Sequence, residues 1–379
     1  MPHKPTMALP GALVASCLAV ASAARAEAPL TLIAVGGAPE TTASPTLQAL
    51  KRRLKNADPE RTAVVFTGNH APKPLPEPGH PDRARVESDV MRHVDAVRDF
   101  VGRGGRVMFL PGHKDYRAGP ASVRRLRKLV DDSLARTTTA TADLPSAFPV
   151  AACGEPRLVK FGPDDAVVLA FLNSQWWMQD FAADPETNQG CRFKSRGQLA
   201  TAVNDIVKRW RAKRLVFLAH HPLESFGPFG GRFPLSTHMS PPLLGSLVIW
   251  AKQAGLAPQY RRHVLYDTYS GGVFAAAQKF GGFTFVSGHD RSLQAFRIKD
   301  QVQIVSGTAG KTSRVVHPPN GHAARAAGWA ELTLGTPDED QARFIEQPGG
   351  RELFAAPLPQ VAKLGSDDLG PAPVPPEGP

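Results

Sequence analysis

Short runs of apolar and β-branched residues alternate with longer segments of helical periodicity from residue 31 onward. The runs have the length of buried strands and lie at residues 31–35, 63–67, 106–110, 166–172, 215–219 and 283–287. The helical segments lie at residues 45–56, 84–101, 121–134 and 197–211. Because alternation of this kind is typical of layered α/β proteins, we predict an α/β domain.

Two further pairs of runs, 294–298 with 301–306 and 330–334 with 342–346, each predict a β-hairpin. Residues 357–379 are rich in proline, which predicts a tail outside the packed domain. The chain has 379 residues, which is long enough for one large domain, and we place that domain at residues 27–356.

The N-terminus carries an apolar, alanine-rich run that ends in Ala24-Arg25-Ala26. A short apolar run followed by small residues predicts a signal peptide over residues 1–26, and therefore export to the periplasm or cell envelope. The alternative is lipidation at Cys17, because residues 14–17 resemble the lipobox of bacterial lipoproteins. Membrane association is expected only in that second case.

The chain is basic, with 45 Lys and Arg residues against 34 Asp and Glu. Removal of residues 1–26 would leave 43 basic residues and a net charge of +9. This excess favours a phosphate-bearing small molecule or another anionic ligand. Nucleic-acid binding is not predicted, because no nucleic-acid-binding motif accompanies the basic runs at 124–128 and 208–214, which are typical of solvated helix faces.

Cleavage before Glu27 would leave two cysteines, Cys153 and Cys191. Disulfides form in the oxidising compartments that exported proteins reach, so we expect these two residues to pair. Two separate buried thiols are the alternative.

Polar residues follow four of the predicted strands at the point where each strand ends. The endings are VVFTG before Asn69-His70, VMFLPG before His113-Lys114-Asp115, VFLA before His220-His221-Pro222, and FTFVSG before His289-Asp290-Arg291. In open α/β sheets, ligands bind beyond the carboxyl ends of the strands. The pattern therefore predicts a ligand site at these four strand ends.

Three histidines from separate strand ends, His113, His220 and His289, could converge on one metal ion, since imidazole is a common ligand of transition metals. A polar rim that holds no metal is the alternative, because spacing alone does not establish coordination geometry. The histidines at positions 93, 263 and 317 lie outside this pattern and are expected on the surface or in the core.

The blocks TLIAVGG, VVFTGNH, FLPGHKDY, LAHHPLESFGPFGG and SGHDRSLQ follow one another along the chain. In this order they resemble the five motifs of calcineurin-like metallophosphoesterases, usually written GD, GDN, GNHD, HxP and GHxH. The blocks LNSQWW around Trp176 and VSGTAG near Gly307 look like an exported bacterial branch of that family. The resemblance covers roughly residues 30–315.

This resemblance implies a four-layer α/β sandwich of two mixed β-sheets flanked by helices. It also implies two metal ions at the strand ends, a bridging water that attacks phosphorus, and a histidine of the third motif that assists the reaction. Two divalent cations a few ångströms apart need anionic ligands between them, because they otherwise repel each other.

The positions that match the first metal of the family carry unsuitable residues. The aspartate of the first motif falls on Gly37, and the bridging aspartate falls on Asn69. The second histidine of the last motif is replaced by Arg291. The resemblance therefore implies that one of the two metal sites is lost.

The positions that match the second metal are Asn69, His113, His220 and His289. They form a neutral nitrogen and oxygen set for one divalent ion, for which zinc, iron and manganese are the candidates.

Three further matched positions are candidate catalytic residues. Lys114 stands where the family has its catalytic histidine, and Asp115 is retained beside it. Arg291 brings a permanent guanidinium, which can hold phosphate through two hydrogen bonds without a metal.

Two principal functions follow from these residues. The first is a phosphate-ester hydrolase with a mononuclear metal site on His113, His220 and His289, in which Arg291 holds the phosphoryl group and Lys114 stabilises the leaving oxygen. The second is an inactive pseudophosphatase that binds an anionic ligand through Arg291 and Lys114. A scaffold of the cell envelope is a third alternative, since a fold does not determine a function.

Overall fold

The computed structural model describes residues 29–37, 44–137, 147–148, 150, 152–179, 188–211, 213–233, 250, 254–278, 283–335 and 340–358. The expected signal peptide at 1–26, with Cys17, lies outside the described residues, as does the proline-rich segment from 359 to 379. Both remain predictions from the sequence.

The strands are β1 Leu30–Val35, β2 Thr62–Phe66, β3 Arg106–Phe109, β4 Arg157–Phe161, β5 Val167–Phe171, β6 Arg214–Ala219, β7 Thr284–Ser287, β8 Leu293–Ile298, β9 Gln301–Ser306, β10 Gly321–Ala324, β11 Gly328–Leu334, β12 Gln341–Glu346 and β13 Arg351–Pro357. The α-helices are α1 Pro45–Lys55, α2 Arg83–Gly102, α3 Gly119–Ala135, α4 Ser174–Trp177, α5 Arg196–Trp210 and α6 Val264–Ala277.

These strands form two sheets. The six-stranded sheet has the order β13-β12-β11-β1-β2-β3, and the seven-stranded sheet has the order β10-β8-β9-β7-β6-β5-β4. Strands β1, β2 and β3 run parallel in the first sheet, and β5, β6, β7 and β9 run parallel in the second. Each sheet also has antiparallel strands at its edge, so both are mixed.

Side chains alternate between the two faces of each strand, which explains the layers. In β2, Ala63 and Val65 pack against the opposite sheet, whereas Val64 and Phe66 pack beneath the helices α1, α2 and α3. In the second sheet, Phe217 of β6 packs beneath helices α5 and α6. Both faces of the central strands are buried, which accounts for their continuous apolar sequence. The predicted four-layer sandwich is confirmed.

Strands β4, β10 and β13 and the long helix α6 were not predicted from the sequence. Strand β4 is largely exposed, and its apolar pattern is weak. Helix α6 contains Gly271 and Gly272, which are poor helix formers, and its stability comes from packing of buried residues such as Tyr269. Strands β10 and β13 are edge strands, and β13 ends at Pro357, one residue inside the predicted tail.

The expected pairing of Cys153 with Cys191 is confirmed by a disulfide with a Cα–Cα distance of 5.4 Å. Closing a loop of 38 residues in the unfolded chain contributes about 4 kcal/mol to stability. The bond holds the segment before β4 against the segment that leads into α5.

Candidate metal centre

The loops after β2, β3, β6 and β7 meet at one end of the sandwich. They bring together Asn69, His113, His220 and His289, the four residues that the sequence predicts as metal ligands. Strands β2 and β3 belong to one sheet and β6 and β7 to the other, so the site lies where the carboxyl ends of the two sheets meet.

Glycine residues permit the close approach of these loops. A Cβ atom on Gly112 would lie 2.5 Å from the backbone nitrogen of Asn69 and 2.8 Å from Cε1 of His220. A Cβ atom on Gly68, which has φ +101°, would lie 2.6 Å from Nδ1 of His220. Any larger side chain at either position would push the strand ends apart.

Two of the four residues have left-handed backbone conformations. Asn69 has φ 62° and His289 has φ 67°. Asparagine tolerates this conformation, but histidine adopts it less readily, at a cost of order 1–3 kcal/mol. Packing of the surrounding residues holds the backbone of His289 in this conformation despite the cost.

The imidazole of His220 lies at the centre of the cluster. Its Nε2 is 3.1 Å from Nδ1 of His113 and 3.2 Å from Nδ1 of His289. With His221 included, one ring nitrogen from each of the four histidines lies within 4.8 Å of all the others.

Hydrogen bonds to backbone carbonyls determine which ring nitrogens carry protons. Nδ1 of His220 faces the carbonyl oxygen of Thr67 at 2.7 Å, and Nε2 of His289 faces that of Gln259 at 2.9 Å. A carbonyl oxygen only accepts, so both of these nitrogens must donate. Nε2 of His220 and Nδ1 of His289 are then unprotonated, and their lone pairs face each other.

The side-chain amide of Asn69 faces the ring of His113. Its Oδ1 accepts from the backbone N–H of Lys114 at 2.9 Å, so its NH2 group faces Nδ1 of His113 at 3.4 Å. Nδ1 of His113 accepts from this group in the tautomer that carries its proton on Nε2, which is also the tautomer that can bind a metal through Nδ1. The orientation differs from the expected one, because the oxygen of Asn69 is turned away from the site and its NH2 group is not a metal ligand.

This donor set fits a metal ion. A tetrahedral zinc with Zn–N bonds of about 2.0–2.1 Å holds its ligand nitrogens about 3.3–3.4 Å apart. The two distances from Nε2 of His220 are close to this value. Three imidazoles then leave one coordination position open, as in catalytic zinc sites.

His221 is engaged differently from its three neighbours. Its Nδ1 pairs with Oγ of Ser174 at 2.9 Å, and its Nε2 pairs with Oε1 of Gln259 at 2.8 Å. Gln259 thus fixes His221 through its side chain and His289 through its backbone. Sequence reasoning missed Gln259 and Ser174, because no motif marks Gln259 and Ser174 lies in a block without an assigned role.

The histidines of the cluster are held neutral. Burial lowers the pKa of His113, His220 and His289 well below its usual value, and the neighbouring imidazoles lower it further. Burial likewise lowers the pKa of His221 to about 4. Neutral imidazole is the form that binds metal.

A rim of positive charge borders His113. Burial is the largest cause of the low pKa of His113, followed by His221 and then by the charges of Lys114, Arg117 and Arg291. The backbone of Arg291 is fixed by Ser313, whose Oγ accepts from the N–H of Arg291 at 3.1 Å. The predicted candidates Lys114 and Arg291 therefore lie beside the histidine cluster.

Asp115 is placed differently from the catalytic role expected of it. It is buried, and its two oxygens accept from the backbone N–H groups of Asn69 at 2.9 Å, His70 at 3.1 Å and Gly112 at 2.8 Å. Burial raises its pKa to about 6, although these hydrogen bonds favour the charged form. The contacts make Asp115 the residue that ties the β2 loop to the β3 loop.

Asp290 has a similar part on the opposite side of the site. Its oxygens accept from the hydroxyl of Ser225 and from the backbone N–H of Phe229 at 3.4 Å. This anchors the turn that places the ring of Phe229 4.1 Å from the ring of His289. Burial raises the pKa of Asp290 to about 6.

Gly37, at the position of the first-motif aspartate, has surroundings that disfavour any side chain. Gly37 has φ +67°, and a Cβ atom added to it would lie 2.6 Å from Oγ1 of Thr308. An aspartate at this position would need a left-handed backbone and displacement of Thr308.

The three histidines expected outside the strand-end pattern, at positions 93, 263 and 317, do not belong to this cluster. His93 is buried with its ring against Phe66, His263 caps helix α6, and His317 is exposed. The Cys153, Glu155 and Cys191 group is not a second metal site, because the two sulfurs are bonded to each other.

Solved structures share this architecture. The structure of PhoD matches with a TM-score of 0.52 and 10% identity, covering 87% of this chain and 68% of PhoD. GAP50, described as the anchor in the inner membrane complex of Plasmodium, matches with a TM-score of 0.50 and 15% identity, covering 88% of this chain and 90% of that protein. A purple acid phosphatase from yellow lupin matches with a TM-score of 0.46 and 11% identity, covering 87% and 53%.

PhoD has the calcineurin-like metallophosphoesterase fold, and this chain therefore has that fold. No protein-family model and no curated protein matches the sequence.

Proposed function

We propose that this protein is a phosphate-ester hydrolase with one divalent metal ion, held by His113, His220 and His289. The observation that carries the proposal is the convergence of Nδ1 of His113 and Nδ1 of His289 on the unprotonated Nε2 of His220, at 3.1 and 3.2 Å. Facing lone pairs repel each other, and a cation between them removes that repulsion. Among the candidates zinc, iron and manganese, an all-nitrogen set favours zinc, because manganese prefers oxygen ligands.

A bound divalent ion would polarise the phosphoryl oxygen and lower the pKa of a water molecule toward neutrality. Arg291 would bind two phosphoryl oxygens, and Lys114 would stabilise the charge of the leaving oxygen. The NH2 group of Asn69 would donate to an oxygen of the substrate or water. Asp115 would act as a positioning residue, since its oxygens are held by backbone N–H groups.

The first metal of the family, whose matched positions carry Gly37 and Arg291, has no counterpart in this proposal. Gly37 supplies no ligand, Oγ1 of Thr308 lies where a side chain at position 37 would begin, and Arg291 replaces a histidine. A guanidinium in place of a metal ion would keep the attraction for anions while leaving hydrolysis to a single ion.

The cellular location is also a proposal. The predicted signal peptide and the disulfide support export to the periplasm or cell envelope, with a lipoprotein anchored at Cys17 as the alternative. Among the described residues, the helices are too short or too polar to span a membrane. The expected partner is a phosphate-bearing small molecule.

A hydrolysis assay tests the proposed activity. Protein treated with a chelator and reloaded with zinc, iron or manganese should cleave p-nitrophenyl phosphate or bis(p-nitrophenyl) phosphate, and removal of the metal should abolish the rate. Equal rates in chelator-treated and reloaded protein would contradict the proposal, because a contaminant or another site would then be responsible.

The anion-binding alternative has a specific observation in its favour, the rim formed by Lys114, Arg117 and Arg291. GAP50 also shows that this fold occurs in an anchor protein. A rise in melting temperature with inorganic phosphate, without turnover under any metal, would favour a pseudophosphatase.

A further inference from the structure

The proposed metal ligands bring no negative charge to the ion. Histidine binds a metal ion as the neutral imidazole, and Asn69 presents a neutral NH2 group to His113. Among the described residues, the ligand atoms that converge within 4.8 Å of one another here belong to four histidines, and the group includes no carboxylate. A divalent ion bound here would keep its full charge.

The surroundings of the site do not offset that charge. Lys114, Arg117 and Arg291 are cationic, whereas the carboxylates within the four strand-end motifs are Asp115 and Asp290. Both carboxylates are buried behind the loops with their oxygens on N–H and hydroxyl groups. These five residues together carry one net positive charge, which a divalent ion would raise to three.

A site of this composition should bind a dication more tightly when an anion binds with it, because the anion offsets the uncompensated positive charge. We propose that the metal ion and a tetrahedral oxyanion, inorganic phosphate or a phosphate ester, bind this site cooperatively, with an oxyanion oxygen in the open coordination position. This inference rests on the proposed metal site. By linkage, the factor by which phosphate tightens metal binding must equal the factor by which the metal tightens phosphate binding.

Asn69 offers an isosteric test of this proposal. In Asn69→Asp, one carboxylate oxygen can still accept from the N–H of Lys114, and the other replaces the NH2 group 3.4 Å from Nδ1 of His113. The substitution therefore gives the site a resident negative charge without changing its shape. Because the carboxylate introduced at position 69 would offset the charge of the metal ion, phosphate should tighten metal binding much less in this variant.

The experiment measures the zinc dissociation constant by competition with a chromogenic chelator, at constant ionic strength, with and without millimolar inorganic phosphate. In the wild-type protein, phosphate should tighten zinc binding at least about tenfold, which corresponds to about 1.4 kcal/mol. Asn69→Asp should bind zinc at least about tenfold more tightly without phosphate, and phosphate should then change its affinity less than about threefold.

Asn320→Asp is the matched control, because Asn320 is exposed and lies in the turn before β10. It adds the same charge outside the site and should reproduce the wild-type response. The absorption spectrum of the cobalt-loaded protein gives a second readout, since a shift on phosphate addition reports an anion that enters the coordination shell.

The outcomes separate this inference from the proposed function. If phosphate changes the zinc dissociation constant of the wild-type protein less than twofold, cooperative binding is wrong, although the metal site itself stands. Absence of zinc binding with and without phosphate would overturn both. An Asn69→Asp variant that responds to phosphate as strongly as the wild type would show that ligand charge is not the cause.

Discussion

Replacement of His220 by alanine is expected to weaken zinc binding at least about 100-fold and to abolish metal-dependent hydrolysis. Nε2 of His220 is the one nitrogen in contact with both other predicted ligands, at 3.1 and 3.2 Å. Its loss would leave His113 and His289 as an incomplete pair, and two imidazoles hold zinc far less tightly than three. Chelator competition and the ester assay would measure the two effects.

His317→Ala is the control for this substitution, because His317 is an exposed histidine outside the cluster. It should leave zinc affinity and hydrolysis unchanged. Circular dichroism and melting temperature should show that His220→Ala is folded, since the substitution also removes the hydrogen bond to the carbonyl of Thr67. A folded His220→Ala protein with wild-type zinc affinity would contradict the assignment.

The metal-free protein is expected to lose several kcal/mol of stability as the pH falls from about 7 to 5. Burial lowers the pKa of His70 to about 4, of His93 to about 3 and of His221 to about 4. It also lowers the pKa of the three predicted ligands well below 6.5.

The sign of this effect follows from proton uptake. Below pH 6.5 these imidazoles are protonated in the unfolded chain but not in the folded chain. Each one therefore lowers the free energy of unfolding by about 1.4 kcal/mol per pH unit, until the pH reaches its pKa in the folded protein. Asp115 and Asp290 act in the opposite direction between about pH 6 and 4, because their folded pKa of about 6 lies above that of the unfolded chain. Six imidazoles outweigh two carboxyl groups.

Urea unfolding at pH 8, 7, 6 and 5, in the presence of a chelator, measures this dependence. The free energy of unfolding should be nearly constant from pH 8 to 7 and should then fall steeply. A stability maximum near pH 5 would contradict the claim that the cluster is buried in neutral form.

Part of the site could be predicted from the sequence for a simple geometric reason. The parallel strands β2, β3, β6 and β7 end on the same edge of the sandwich, so polar residues directly after them must lie near one another. The convergence of His113, His220 and His289 therefore followed from where each strand ends.

Other parts depend on contacts that no local pattern specifies. Gln259 reaches His221 and His289 from a segment that carries no motif, before helix α6. The orientation of the Asn69 amide is decided by the backbone N–H of Lys114, and that of Asp115 by three backbone N–H groups. Side-chain direction follows from these hydrogen bonds, whereas the sequence gives only residue type.

The central claim is that three neutral imidazoles form one metal site, and metal analysis tests it most directly. The protein should be stripped with a chelator, reloaded with zinc, desalted, and analysed for zinc and protein together. The structure predicts about one equivalent of zinc in the wild-type protein and a loss of that zinc in His220→Ala. Retention of no zinc, or of two equivalents, would contradict a mononuclear site on His113, His220 and His289.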